Sequence, residues 1–153
     1  MPPAHSEPPE PPRWEPIVQP QIVFRFVKHA DPTADGFADN FMSDEERGKQ
    51  SAPDEHPDLL TGMSAFVSEA KARKRWAEIK GAALKKRSER NKRRQRPFRM
   101  SVGDYIAEVV LGPGDGVEVV DPRDVDGHLT IRGDKDVLAA RVARVYPAES
   151  KPI

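Results

Sequence analysis

The chain has 153 residues, 37% of them hydrophobic and 33% charged, with no cysteine and a formal net charge of zero. Without thiols there is no disulfide scaffold, thiolate zinc site, iron–sulfur cluster or cysteine nucleophile, and residues 1–12 lack the basic and apolar regions of a signal peptide. No apolar run is long enough for a membrane span, so the chain reads as a cytoplasmic protein with no membrane partner. Its apolar residues concentrate at 22–27, 59–84 and 102–146, enough for one small core.

Residues 1–20 hold eight of the sixteen prolines. Proline fixes φ and removes a donor, so this head is expected to be a disordered, polyproline-like tail rather than a packed element. Gln21–Lys28 alternates Ile22, Phe24 and Phe26 with Val23, Arg25 and Val27 and predicts the first strand. Residues 29–57 read as a long loop. Within it Ser43 and Glu46 form a capping box, and Gly48 stops that helical stretch after about one turn.

A short strand is expected at Met63–Phe66. Ser68 then caps a long helix from Glu69, with Ala72, Trp76, Ile79 and Ala83 along one face and Leu84 extending the stripe. Further strands are expected over residues 102–111, 117–120, 128–132 and 141–146. Gly112–Gly116 forms a hairpin turn, and Asp134 caps a short helix near 135–140. The fold class is therefore α+β: a mostly antiparallel sheet of five to six short strands, one long and partly basic helix, and a short C-terminal helix. The domain is expected to span 21–147, with 85–99 as a basic, mobile insertion and 148–153 as a frayed tail.

The zero net charge hides a segregation. Residues 71–99 contain 14 Lys or Arg against 2 Glu, and the remainder is acidic by the same margin. Like charges four residues apart, as in Lys86–Arg90 and Arg90–Arg94, destabilise a free helix, and phosphate groups would relieve the repulsion. Lys85, Lys86, Arg87, Arg90, Lys92, Arg93, Arg94 and Arg96 are the candidate contacts for nucleic acid or another polyanion. Only Trp76 and Phe98 lie near for stacking, so base recognition is not expected. The alternatives are a solvated helical face, or a basic arm that folds onto the acidic loop 29–46.

Other candidate motifs lack an essential part. Asp31, Thr33, Asp35, Gly36 and Asp39 follow the spacing of a calcium loop, but its twelfth position is Met42 where a bidentate Glu is required. The four histidines have no metal-ligand spacing, and no metal site is assigned.

The order FRFVKH, TGMSAFVSEAKARKRWA, DYIAEVVL, GHLTIRGD resembles small bacterial proteins. More remotely it resembles the ADP-ribosyltransferase-like fold, RES-type toxins included. The resemblance implies an NAD-using enzyme or an inactive relative. Arg25 or His29 on the first strand would grip the dinucleotide, with Ser64 on the second strand and His128 near the pocket on a later one. A strand glutamate would polarise the ribose, and Glu108 and Glu118 are the strand glutamates available. Two function classes follow: an accessory or interaction protein that binds a polyanion through its basic helix, and an NAD-using enzyme or toxin relative.

Overall fold

Alternating side chains on a strand point to opposite faces, so a strand apolar on both faces needs cover on both sides. The computed structural model describes residues 12–48, 57–90, 100, 102–120 and 127–149. It contains strands β1 (Glu15–Pro16), β2 (Gln21–Val27) and β3 (Met63–Phe66), helix α1 (Glu69–Arg90), and strands β4 (Tyr105–Leu111), β5 (Glu118–Val120) and β6 (His128–Arg132). Helix α2 (Lys135–Ala140) and strand β7 (Val142–Pro147) complete it. The seven strands form one sheet in the order β1-β5-β6-β3-β2-β4-β7, every paired neighbour antiparallel.

One face carries Val23, Val27, Ala65, Val109, Leu129 and Ile131 and is covered by α2 through Leu138. A 3-10 turn at Phe37–Phe41, inside the expected loop, adds Phe37 and Phe41 to the same cover. The other face carries Phe24, Phe66 and Ile106 and is covered by α1 through Ala72 and Trp76. The α+β class, the long helix beginning at Glu69 and the short helix at 135–140 follow the expectation. Asp134 caps α2 by accepting from the backbone N–H groups of Asp136 and Val137.

The strand count and both domain boundaries need correction. The added strand is β1, which pairs with β5, so the folded chain begins before residue 21. Trp14 holds it there: its indole N–H donates to Asp58 at 2.9 Å, and the Arg132 guanidinium lies 4.1 Å from the ring centre. Ile17 is buried beside it. A proline-rich segment can do this because an edge strand leaves one row of donors unpaired anyway. At the other end Ala148 is buried, and its N–H donates to the Asp104 carbonyl, so packing continues past residue 147; residues 150–153 lie outside the described residues.

Helix α1 packs by its N-terminal half. Trp76 is buried, and its indole N–H donates to the Gly103 carbonyl at 2.9 Å. Gly103 has φ +101, and a β-carbon there would stand 2.2 Å from the Val27 carbonyl oxygen, so only glycine fits against β2. Beyond Ala83 the helix is exposed: Leu84, Lys85 and Lys86 all face solvent. Lys85, Lys86, Arg87 and Arg90 thus belong to α1, whereas Lys92, Arg93, Arg94 and Arg96 lie outside the described residues. No helix among the described residues is long and apolar enough to cross a membrane.

Trp76→Ala removes the largest side chain that joins α1 to the sheet and leaves the Gly103 carbonyl without its donor. The expected cost is about 3–5 kcal/mol of unfolding free energy, measured by urea denaturation.

Candidate functional site

Arg25 is the anomaly of the sheet. It shares a face with Val23 and Val27 and pairs across β4 with Ala107, so a guanidinium enters an apolar row opposite a small side chain. On its other side β2 and β3 share one register pair, Phe24↔Phe66, and then part. The Arg25 side chain takes the opening. Its Nη1 donates to the Ser64 carbonyl at 2.6 Å, and its Nε donates to the Asn40 carbonyl at 2.8 Å. The Ser64 carbonyl, on the side of β3 that faces β2, is thus satisfied by a side chain in place of a ladder amide.

The residue is 6% exposed. Both of its hydrogen bonds run to neutral carbonyls, and no ion pair joins it to a carboxylate among the described residues. Burial pushes its pKa down to about 9; the neighbouring Arg47 adds to the shift and Asp44 opposes it. At neutral pH the guanidinium remains charged, in a place that disfavours charge.

Asn40 organises the groups around it. Its Oδ1 accepts from the Lys28 backbone N–H at 2.8 Å, which makes the other end the amide nitrogen. That Nδ2 donates to the Phe37 carbonyl at 2.7 Å and lies 3.0 Å from His29 Nδ1. His29 Nδ1 is therefore the acceptor, and Nε2–H is left as the donor of the ring. The Asn40 carbonyl also receives Arg47 Nη2 at 3.1 Å. The expected capping box positions Arg47: Glu46 N–H donates to Ser43 Oγ, and Ser43 N–H donates back to Glu46 Oε1, both at 3.1 Å.

Across the gap, the β3–β6 register sets Ser64 opposite Thr130 and Phe66 opposite His128. Ser64 and His128 are diagonal neighbours on the α1 face, and Ser64 Oγ lies 3.0 Å from His128 Nε2. Phe66 meets the imidazole edge to face, with ring centres 5.8 Å apart. Gly127, with φ +67, precedes the histidine; a β-carbon there would crowd Lys71 and Val67 at 2.9 Å.

These groups line a cleft of about 980 Å³. Arg25, His29, Ser64 and His128, the residues named from the sequence for the enzyme reading, all reach it. By strand alternation the Arg25 and Ser64 side chains belong to opposite faces, and they meet one cleft because the strands between them part. Arg25, Lys28, Arg47 and Arg75 supply four cations against the carboxylates of Asp39 and Asp44. Asp39 is already bound to Lys135 Nζ at 3.0 Å. An apolar wall of Phe26, Phe66, Ile79 and Val102 completes the lining, with the two phenylalanine rings 5.3 Å apart.

The strand glutamates are elsewhere. Glu108 receives Arg144 and Glu118 receives Arg132, and neither lines the cleft. Asn40, Arg47 and Arg75 went unnamed from the sequence as cleft residues. Arg47 follows directly on the capping box, which was the one local signal available. Comparison with protein-family models, with curated proteins and with solved structures gave no match.

Asn40→Leu leaves the Lys28 N–H without its acceptor and takes the side-chain donor from the Phe37 carbonyl, which keeps the backbone donor of its 3-10 turn. The expected loss is about 1–3 kcal/mol in chemical denaturation.

Proposed function

We propose that the cleft binds a phosphate-bearing ligand with an apolar or planar portion, of the nucleotide class. The observation that carries this reading is Arg25, a buried guanidinium whose hydrogen-bond partners among the described residues are carbonyls, open to a cleft whose described lining has more cations than carboxylates. An anion in the cleft would add counter-charge to a guanidinium that makes no ion pair among the described residues. The phenylalanine wall suits the apolar part of such a molecule, and His29 Nε2–H is a further donor on the lining. An NAD-type dinucleotide belongs to this class, and the residues present suit its anionic centre. Among the described residues the lining holds no glutamate of the kind that ribose transfer calls for.

The test is thermal unfolding and calorimetric titration with pyrophosphate, ADP and NAD. The wild type is expected to bind at least one of them and to gain about 2.7 kcal/mol of stability at a hundredfold excess over Kd. Arg25→Met is expected to fold with stability within about 2 kcal/mol of wild type, as relief of the buried charge offsets two lost hydrogen bonds. It should also lose the ligand response. Equal affinity in the variant, or no response in the wild type, refutes the reading.

A second reading, of an accessory protein that binds nucleic acid or another polyanion, rests on the free end of α1. There Leu84, Lys85 and Lys86 stand exposed, past Ile79, the last residue of α1 that joins the described core. Binding of duplex DNA or RNA should weaken with salt at a slope of about −0.9 per phosphate neutralised, with little sequence preference. Replacing Lys85, Lys86, Arg87, Arg93 and Arg94 by Gln should flatten that slope without loss of stability. Salt-independent binding, or none, removes it. Destabilisation of the same variant at low salt would show instead that the block serves the acidic loop of its own chain.

A further inference from the structure

The cleft holds a pair of side chains that phosphate binding alone does not use. Ser64 Oγ and His128 Nε2 are 3.0 Å apart, within the span of a serine nucleophile and its general base. Both sit mid-sheet, where the β3–β6 ladder fixes their backbones at four consecutive register pairs. Phe66 sits directly across from His128 and packs its ring against the imidazole, and Gly127 sets the entry of the chain. Ser64 is exposed, so a substrate can reach the oxygen. Its own carbonyl oxygen accepts Arg25 Nη1, which places the buried cation against the residue that would react.

We propose that Ser64 and His128 hydrolyse carboxylic esters whose acid or alcohol part carries a phosphate, with Arg25 as the anchor for that phosphate. This rests on the reading of the cleft given above and adds a reaction to it. His128, protonated on Nδ1, takes the Ser64 hydroxyl proton at Nε2. The Ser64 Oγ–acyl carbon bond forms, and the bond from the acyl carbon to the alcohol oxygen breaks. The alcohol leaves with the bonding pair and with the proton held by His128. Water then enters: His128 takes its proton, the water oxygen–acyl carbon bond forms, the Ser64 Oγ–acyl carbon bond breaks to release the acid, and the proton returns from His128 to Ser64 Oγ. One ester and one water give one acid and one alcohol, with no other reactant.

The experiment is covalent labelling of the full chain with a fluorophosphonate probe, read by intact mass and peptide mapping. The wild type should form a single adduct on Ser64, and pyrophosphate should slow its formation. Ser64→Ala, at an exposed position, should keep the wild-type melting temperature and lose the adduct. His128→Ala should label at least about 100-fold more slowly, and added imidazole should restore part of the rate. A wild type that labels no faster than Ser64→Ala, an adduct at another residue, or wild-type labelling in His128→Ala overturns the proposal. Labelling absent while ADP or pyrophosphate still binds removes the catalytic pair and leaves the phosphate site standing. Ser64 labelling that pyrophosphate does not slow, in a chain that binds no phosphate compound, overturns the substrate class and the cleft reading together.

Discussion

The guanidinium of Arg25 occupies a place that a backbone ladder would otherwise fill. Between β2 and β3 the sheet gives up its pairing after one register pair, and the side chain spans the gap from one face toward the other. The position of the cleft follows from this substitution. Had β2 and β3 zipped fully, Ser64 and Arg25 would be separated by a closed sheet, and the apolar rows on each face would run on uninterrupted. Because the strands part, the turn that carries Asn40 and the face that carries His128 open onto a common space. A buried charge held mainly by neutral carbonyls costs more than a buried hydrocarbon of similar size. Arg25, in the middle of a core strand and with no ion pair to a carboxylate, is the one buried charge among the described residues.

The two halves of α1 divide their work in the same way. From Glu69 to Ala83 the helix supplies a core anchor, Trp76, and two cleft residues, Arg75 and Ile79. Past Ile79 no described residue of α1 joins the core, and Leu84, Lys85 and Lys86 are exposed. Burial of a tryptophan against β2 holds the first half, and the second half continues as helix without that support. The cleft residues Arg75 and Ile79 and the exposed Lys85 and Lys86 are distinct sets, so either can be replaced without touching the other.

Much of this architecture was legible in the chain because its signals are local. Met63–Phe66, His128–Arg132, the start of α1 after Ser68 and the Asp134 cap of α2 depend on alternation and capping within a few residues. The turn at Phe37–Phe41 was not legible. Its two aromatic residues stand among acids and turn formers, with neither helical nor strand spacing, and only the finished core shows why they are there. β1 was hidden for the opposite reason: prolines that forbid a central strand are acceptable at an edge. Within the site, Arg25, His29, Ser64 and His128 were nameable from the order of elements, whereas Asn40 was not. Its role depends on three partners gathered by tertiary folding, and a lone asparagine in a loop carries no mark of that.

The two margins of the sheet are treated unequally. On one side the last strand is only Glu15–Pro16, clamped by Trp14 against Arg132 and Asp58, and its proline has no N–H to offer a newcomer. On the other side β7 runs for six residues from Val142 and, among the described residues, is paired on its β4 flank alone. Growth of the sheet by strand addition, whether through self-association or aggregation at high concentration, is therefore one-sided. It would begin at β7, where Arg144 is the exposed charge that discourages it.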